Sequence, residues 1–206
     1  MFKIVINFKT YAEGTGKNAV RLSKVLKKYK NVIVCAQASD ISNVSKFITT
    51  FAQHVDPFPS GAYTGSVSAR AVKSAGAKGT LLNHSEYSLP FEVLKSCVNI
   101  AKQNNLKIII CAKNAVEVKK VKSLNPDFIA VEPSELIGGK ISVTTKPKLI
   151  QDSVKNAGSI PLIIGAGIHS REDLIIAKKL GAKGILISSA IVKSKHPENK
   201  LSELLK

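Results

Sequence analysis

Four polar residues stand where apolar segments of this chain end, and their side chains suit proton transfer. Asn7 and Lys9 close the segment IVINFK, His84 follows GTLLN, and Glu132 closes DFIAV. A polar group at the end of a buried strand is costly unless it faces a water-filled site or a partner. An amide, an ammonium, an imidazole and a carboxylate can together bind a polar ligand and move a proton. We therefore predict that these four residues form an active site.

The neighbours of His84 and Glu132 predict how these two side chains are held. Ser85 and Glu86 suit the start of a short helical turn, and the N-terminus of a turn disfavours imidazolium. Pro133 keeps Glu132 extended at the end of its strand. Taken singly, a structural role for the histidine and a loop salt bridge for the glutamate remain alternatives.

Two further turns have the composition of an anion-binding site. Gly165 and Gly167 in GAGIHS allow the backbone to approach a ligand closely, and Ser170 and Glu172 open the helix that follows. The segment 188–190 (SSA) ends the eighth apolar run with small residues that can expose backbone N–H groups. Because barrel phosphate sites lie after strands 7 and 8, we predict a phosphate site here.

Apolar runs alternate with helical patterns eight times along the chain. The predicted strands are 2–8, 31–36, 50–54, 79–83, 106–112, 127–131, 160–165 and 183–187. The predicted helices are 17–30, 40–48, 66–75, 91–104, 114–123, 147–157, 170–180 and 197–205. This alternation indicates βαβ units and a parallel sheet. Eight repeats of about 25 residues fit a single α/β domain over 1–206, a closed (β/α)8 barrel with few insertions.

Period-2 alternation along the first strand predicts which residues face the interior of that barrel. One face carries Phe2, Ile4, Ile6 and Phe8, and the other carries Lys3, Val5, Asn7 and Lys9. We expect the first set to pack against helices. The second set is expected to line the interior, with Asn7 and Lys9 at its upper end.

Composition narrows the class of protein. Apolar residues make up 44% of the chain and aromatic residues only 5%, as buried parallel strands rich in Val, Ile and Leu require. No run approaches the roughly 20 apolar residues of a membrane helix, and the segment MFKIVINFK lacks a signal-peptide pattern. Three scattered cysteines without a CxxC motif favour a reducing cytosol over disulfides or zinc. We expect a cytoplasmic protein that binds no membrane.

The net charge of +17 has two interpretations. A nucleic-acid binder would carry a basic face, usually with aromatic residues interleaved. Here most lysines fall in helical segments such as LSKVLKKYK and AKKLGAK, which favours the solvated outer faces of amphipathic helices and no nucleic acid. A positive field would also steer an anionic substrate.

Three motifs together resemble the triosephosphate isomerase family in its short archaeal form. Its N-x-K motif matches Asn7-Phe8-Lys9, its H-S-E motif matches 84–86, and its glutamate-lid motif matches 132–138 (EPSELIG). The segment AQHVDPFPSGAYTG resembles the family's interdigitating loop. The resemblance covers nearly the whole chain, in order, and implies a TIM barrel without metal or organic cofactor.

What the resemblance implies for individual residues can be stated by position. Glu132 would be the base, neutral His84 the electrophile, Lys9 the stabiliser of negative charge, and Asn7 a substrate-positioning residue. The residues that would bind the phosphate are Ile137, Gly138, Gly167, Ser188 and Ser189. The substrate would be a small phosphorylated triose, D-glyceraldehyde 3-phosphate or dihydroxyacetone phosphate.

The chain also departs from the family at positions that bear on assembly. Tyr87-Ser88 stands where most bacterial and eukaryotic members have an arginine after H-S-E, and Ser66 replaces its acidic partner, so both halves of that ion pair are absent together. We expect a homodimer or homotetramer with loop 54–66 at the interface, Thr64 near its tip, and apolar contacts around Val55, Phe58 and Tyr63.

Other functions remain open from the residues alone. Another phosphosugar barrel enzyme, an epimerase or aldolase, would need several metal-ligating residues or a Schiff-base lysine in mid-barrel. A basic nucleic-acid-binding module would give no reason for Glu132 and His84. A degenerate barrel kept as an interaction protein would not need the full set of four.

Overall fold

Eight parallel strands close into a barrel. The structure is a computed structural model that describes residues 1–133, 142, 145–168 and 170–205. The strands are β1 Lys3–Asn7, β2 Val32–Ala36, β3 Thr50–Ala52, β4 Gly79–Leu82, β5 Lys107–Ala112, β6 Phe128–Val131, β7 Leu162–Ile164 and β8 Gly184–Ile187. Each strand pairs with its neighbours in the chain, and β8 closes the barrel on β1. The (β/α)8 barrel predicted from the sequence is confirmed.

Helices follow the strands and cover the outside of the barrel. They are α1 Gly16–Leu26, α2 Ile41–Val44, α3 Ala69–Ser74, α4 Phe91–Gln103, α5 Ala115–Val121, α6 Pro147–Ala157, α7 Arg171–Lys179, α8 Ser189–Val192 and α9 Pro197–Leu205. The sequence predicts eight helices, whereas the described residues contain nine. The four-residue α8 is too short to show a helical period, so the pattern of apolar residues missed it.

Buried apolar side chains form two layers, one inside the barrel and one between the barrel and the helices. The inner layer contains Val5, Ile33, Cys35, Phe51, Leu81, Ile109, Cys111, Ala130, Ile163 and Leu186. Ile4, Ile6 and Phe8 belong to the outer layer. The two faces predicted for the first strand are therefore confirmed.

A capping box fixes the start of α7 after β7. Ser170 Oγ accepts from the backbone N–H of Asp173, and the Asp173 carboxylate accepts from the backbone N–H of Ser170. Ser170 opens the helix and Glu172 lies in its first turn, as predicted, and Asp173 completes the capping box. The cap stands three positions after Gly167, so it sets the direction in which the chain leaves this turn.

The three cysteines are free and buried in the core. Burial raises the pKa of all three thiols, that of Cys97 to about 11. The negative charge of Glu132 raises the pKa of Cys35 and Cys111 further. Among the described residues, no helix is both long and apolar enough to cross a membrane.

Candidate active site

Asn7, Lys9, His84 and Glu132 all lie at the end of the barrel where the strands have their C-termini. Asn7 is the last residue of β1, Glu132 directly follows β6, and His84 stands two residues after β4. The side chains of Asn7, His84 and Glu132 are buried, and that of Lys9 is 15% exposed. Because the barrel is closed and parallel, these positions, far apart in the sequence, share one mouth.

The Glu132 carboxylate faces the imidazole of His84. Its Oε1 lies 3.4 Å from His84 Nε2, and the backbone N–H of Glu132 donates to the carbonyl of Ala112, which fixes the residue at the strand end. The other oxygen, Oε2, is buried and has no hydrogen-bond partner within the part of the chain that the structure describes. A buried carboxylate oxygen without a hydrogen-bond donor is unfavourable in a folded protein. Such an oxygen is expected in a site where an incoming ligand supplies the missing hydrogen bond.

The tautomer of His84 follows from a hydrogen bond on the other side of its ring. The backbone N–H of Glu86 donates to His84 Nδ1 at 3.2 Å, which caps the 3-10 turn Ser85–Tyr87. An Nδ1 atom that accepts a hydrogen bond carries no proton. In a neutral ring the proton is therefore on Nε2, the atom that faces Glu132 and the mouth of the barrel.

Lys9 is held toward the same turn. Its Nζ lies 2.7 Å from Glu86 Oε1, and its backbone N–H donates to Asn7 Oδ1 at 2.9 Å. The backbone of Lys9 has a φ of 48°, in the left-handed region that lysine rarely adopts. Such a conformation persists when its surroundings fix it, and it is most frequent at functional sites.

Gln53, which the sequence did not indicate, fixes the carbonyl of Lys9. Its Nε2 donates to the Lys9 carbonyl at 2.9 Å and to the Cys35 carbonyl at 3.1 Å. The residue directly follows β3, whereas the apolar pattern extended that strand to residue 54. A polar amide directly after a buried strand was the signal that could have identified it.

Asn83 has a similar role before His84. It has a φ of 58°, its Nδ2 donates to the carbonyl of Cys111 at 2.9 Å, and its Oδ1 accepts from the N–H of Leu89. Asparagine tolerates the left-handed region better than most residues. Asn83 thus turns the chain so that His84 points into the mouth.

Gly165 gives room to Glu132. A Cβ atom on Gly165 would lie 2.2 Å from Glu132 Cγ and 3.0 Å from its Cδ. The sequence suggested that this glycine lets a ligand approach the backbone. In the structure, the side chain of Glu132 occupies the space next to it.

The predicted phosphate-binding residues are only partly described. Gly167 has a φ of 69°, which favours glycine, and Ser188 is the N-cap of α8. The hydroxyl of Ser188 donates to the carbonyl of Asn7 at 2.6 Å, while Ser189 is exposed. The first N–H groups of α8 have no acceptor within the helix. Ile137 and Gly138 lie outside the described residues, as does most of the predicted lid.

Loop 54–66 projects from the same end of the barrel. Its neck is closed by Asp56 and Val67, which exchange two hydrogen bonds of 3.0 and 2.6 Å. Beyond the neck, Phe58 and Tyr63 stack with their ring centroids 4.6 Å apart, and both remain about 40% exposed. Val55 is fully buried in the outer layer of its own core, so the expectation that it contributes to an interface is wrong.

Tyr87 stands on the surface beside this loop. Its side chain is 59% exposed, and its ring meets that of His54 edge-on at 4.8 Å. His54 in turn lies 3.2 Å from Asp56. Tyr87, which follows the H-S-E segment, thus makes an aromatic contact with a residue of loop 54–66.

The described residues contain no group of three or more His, Cys, Asp or Glu side chains arranged to hold a metal ion. The polar groups at the mouth instead form a chain of close contacts: Lys9 with Glu86, Glu86 with His84 Nδ1 at 3.6 Å, and His84 Nε2 with Glu132. This arrangement can bind an anion, donate a hydrogen bond and accept a proton within one small site.

Comparisons with known proteins agree on one family. The sequence profile of the triosephosphate isomerase family matches residues 2–205. The chain is 40% identical to a triosephosphate isomerase of Thermoplasma volcanium, with both chains covered completely. It is 39% identical to one of Saccharolobus solfataricus, covering 98% of this chain and 94% of the relative. A crystal structure of triosephosphate isomerase from Bartonella henselae shares the fold, with a TM-score of 0.66, 20% identity and 93% of each chain covered.

Proposed function

This chain belongs to the triosephosphate isomerase family, and we propose that Glu132, His84, Lys9 and Asn7 carry out its reaction. The protein is an aldose–ketose isomerase that interconverts D-glyceraldehyde 3-phosphate and dihydroxyacetone phosphate, a step shared by glycolysis and gluconeogenesis. The assignment of residues rests mainly on one observation. A buried carboxylate, one oxygen of which is unpaired among the described residues, lies 3.4 Å from an imidazole nitrogen that carries a proton.

Glu132 acts as the base. Its carboxylate removes a proton from the carbon next to the substrate carbonyl, which leaves an enediolate, and returns the proton to the neighbouring carbon. The unpaired Oε2 is the acceptor that this step needs. Gly165 leaves room for the side chain of Glu132, and Pro133 keeps its backbone extended, so that the carboxylate can reach both carbons. This placement matters because reacting atoms must be positioned within a fraction of an ångström.

His84 acts as a neutral hydrogen-bond donor. Its Nε2–H polarises the carbonyl oxygen and stabilises the negative charge that develops there, as is established for this family. The Glu86 N–H keeps the acceptor on Nδ1, so the ring can donate from Nε2 without first being protonated.

Lys9 and the turns after β7 and β8 hold the anionic parts of the substrate. Lys9 supplies positive charge next to His84, and Asn7 positions both the backbone of Lys9 and the substrate. Gly167 and the N–H groups at Ser188 and Ser189 receive the phosphate, since helix N-termini and open turns favour anions. By family resemblance, Ile137 and Gly138 complete this phosphate site.

The reaction needs no metal or organic cofactor in this proposal, because the charged and hydrogen-bonding side chains at the mouth supply both the base and the electrophile. We further propose that residues 1–206 form one domain and that the enzyme works in the cytoplasm. Three free buried cysteines support a reducing compartment.

The chain also assembles with itself through loop 54–66, as a dimer or a dimer of dimers. The exposed stack of Phe58 and Tyr63 supports this proposal, because paired exposed aromatic rings are typical of interface centres. With Val55 inside its own core, Phe58, Tyr63 and Tyr87 remain as the apolar contacts. Light scattering at micromolar protein should give at least a dimer in 1 M salt, and a fully active monomer would contradict this assembly.

A coupled isomerase assay on purified protein tests the catalytic assignment. The wild-type chain should turn over both trioses, and His84→Gln should lower kcat by about 10²-fold or more. His196→Gln is the matched control, since this exposed histidine lies in the turn before α9. Equal activity of the two variants would remove His84 from the mechanism.

A further inference from the structure

Acidic residues are concentrated at one end of the barrel and helix-terminal lysines at the other, although Lys9, Lys17 and Lys95 also lie at the catalytic end. Acidic residues occupy the first turns of α4, α5 and α7, at the catalytic end. Lysines occupy the last turns of six helices, at the opposite end, among them Lys24, Lys73, Lys102 and Lys155. The helices run antiparallel to the strands, so these last turns surround the N-terminal ends of the strands.

The turns that lead into the strands add further lysines to the same end. Lys30 precedes β2, Lys78 precedes β4, Lys107 begins β5 and Lys183 precedes β8, and all four are exposed. We call this end, with its helix-terminal and turn lysines, the lysine face. Of the described lysines there, Lys28 has a carboxylate partner within ion-pair distance, Glu198.

Two ordinary explanations account for only part of this charge. Lysines in last turns complement the helix dipole, but each stabilises the folded state by only about 0.3–1 kcal/mol. The turn lysines lie outside the helices, so this explanation does not cover them. Steering of the substrate is weak from this end. The 13-residue α4 alone spans about 20 Å, twice the Debye length of about 10 Å at 0.1 M salt. Repulsion among the lysines, meanwhile, destabilises the folded state.

An open, shallow cavity in the lysine face is lined in part by an aromatic ring. It has a volume of about 260 Å³ and lies between the turns that precede β3 and β4, where Lys46, Phe47 and Lys78 line it. The ring of Phe47 is half-buried, and Lys24 Nζ lies over its face, 5.0 Å from the centroid, so a base that stacks there displaces this ammonium group. An aromatic surface with lysines on several sides is the combination that binds a base and its flanking phosphates.

We propose that the lysine face binds single-stranded nucleic acid without sequence preference. One base enters the cavity against Phe47, and Lys46 and Lys78 contact the adjacent phosphates. Lysines act here as point charges on phosphate and do not read the 2′-hydroxyl, so DNA and RNA bind alike. The charge pattern of the sequence favoured no nucleic acid, but it showed neither the segregation of charge nor the cavity.

A membrane surface fits this face less well than a nucleic acid does. Peripheral membrane contacts combine basic residues with large apolar side chains that enter the interface. Among the described residues, four of the five exposed large apolar side chains belong to the catalytic end, and Met1 lies at the lysine face; the four are Phe58, Tyr63, Tyr87 and Val116. Failure to bind 20-mer oligonucleotides together with binding to vesicles of 30% anionic lipid would therefore overturn the proposal.

The test is fluorescence anisotropy with labelled dT20, rU20 and a 20-base-pair duplex over a series of salt concentrations. Wild type should bind dT20 and rU20 within threefold of each other and more tightly than the duplex. Lys46→Glu/Lys78→Glu should weaken dT20 binding at least tenfold and reduce the log–log salt slope by about 1.4, since each single-strand phosphate contact contributes about 0.7. Its kcat/KM for the isomerase should stay within twofold of wild type.

The matched control is Lys17→Glu/Lys95→Glu, which changes the net charge equally near the catalytic ends of α1 and α4. It should weaken dT20 binding less than threefold. Equal weakening by both pairs would show that only net charge matters, and competition by 2-phosphoglycolate would place the oligonucleotide in the active site. Either result overturns the proposal.

Phe47→Leu tests the stacking contact while keeping an apolar side chain in place. This substitution should weaken dT20 binding about fivefold or more, whereas binding of the duplex should change little. Equal effects on single strand and duplex would contradict a base against Phe47. Unchanged thermal melting would show that the variant is folded.

Discussion

The two ends of the barrel are built by different rules. At the catalytic end, a lysine and an asparagine adopt left-handed backbone conformations, Lys9 at 48° and Asn83 at 58°. At the lysine face, the left-handed residues are Asn105 and Asn125, each just after a helical segment, where such a residue is common. At the lysine face, left-handed residues therefore occur where a helix ends. At the catalytic end, they occur where side chains from other strands fix the backbone.

Long-range contacts occur at both ends, but at the catalytic end they join residues of the site. At the lysine face, Lys73 and Lys102 donate to backbone carbonyls 32 and 22 residues away, while Lys28 pairs with Glu198 across 170. At the catalytic end, Lys9 pairs across 77 residues and Ser188 reaches Asn7 across 181. Closure of the barrel is thus what assembles the catalytic end. We expect substitutions there to change activity more than stability, and the reverse at the lysine face.

The sharpest contrast pairs an acid from each end. Glu132→Gln should lower kcat by about 10³-fold or more, since the base is lost, while its melting temperature stays equal or rises because a buried, partly unpaired charge disappears. Asp127→Ala, which removes the acceptor for the Ile108 N–H at the start of β5, should keep kcat and lower stability by about 1 kcal/mol. Isomerase assays and thermal melts on both proteins decide this. Near-normal kcat in folded Glu132→Gln would break the comparison.

Two glycines extend the contrast. Gly165→Ala would push Cβ into Glu132 and should lower kcat by about 10²-fold through misplacement of the base. Gly184→Ala at the start of β8 would meet the Lys3 carbonyl at 2.7 Å, so it should lower the melting temperature but not the kcat of the folded enzyme. Equal kcat losses in the two folded variants would show that the space at Gly165 has no special role.

Two lysines give a smaller effect. Lys9→Met should weaken binding of 2-phosphoglycolate about tenfold or more, because a charged contact to the bound anion is lost and Glu86 is exposed enough to remain hydrated. Lys107→Met, at the start of β5, should leave this affinity unchanged. Calorimetry on both variants measures the difference, and equal affinities would place Lys9 outside the site.

The smallest predicted effect is a change of the free energy of unfolding with pH, and it arises from the cysteines in the core between the two ends. The three thiols have raised pKa values in the folded state, so above their ordinary value of 9.0 the unfolded chain loses protons that the folded chain keeps. Stability should therefore fall as pH rises, by about 1 kcal/mol per thiol between pH 9 and pH 10. Urea unfolding of wild type and Cys97→Ala at both pH values tests this. Between pH 9 and pH 10, the free energy of unfolding of the variant should fall by about 1 kcal/mol less than that of wild type. Identical losses would show that the Cys97 thiol does not cause the pH dependence.

Sequence patterns predicted the parts of the molecule that depend on regular repeats. Alternation in FKIVINFK assigned Ile4 and Val5 to opposite layers, and the eight repeats identified the barrel. The four polar residues at strand ends were found because polar groups interrupt apolar runs, and the family motifs then suggested a role for each.

Residues whose role depends on long-range contacts were missed or misread. Gln53 contacts the backbone of Lys9, and Gly165 makes room for Glu132, contacts that exist only once the barrel closes. Val55 was expected at an interface because it belongs to loop 54–66, but its side chain is buried in the core of its own barrel. No local pattern in the sequence records which strands become neighbours across the closure.

The central claim is that the catalytic end presents a neutral His84 with its proton on Nε2, next to the carboxylate of Glu132. ¹⁵N NMR of histidine-labelled protein, with His84→Gln to assign the signal, measures this directly in the free enzyme and with 2-phosphoglycolate bound. The geometry predicts an unprotonated Nδ1 and a protonated Nε2 in both states at neutral pH. A proton on Nδ1, or an imidazolium in the complex, would contradict the account.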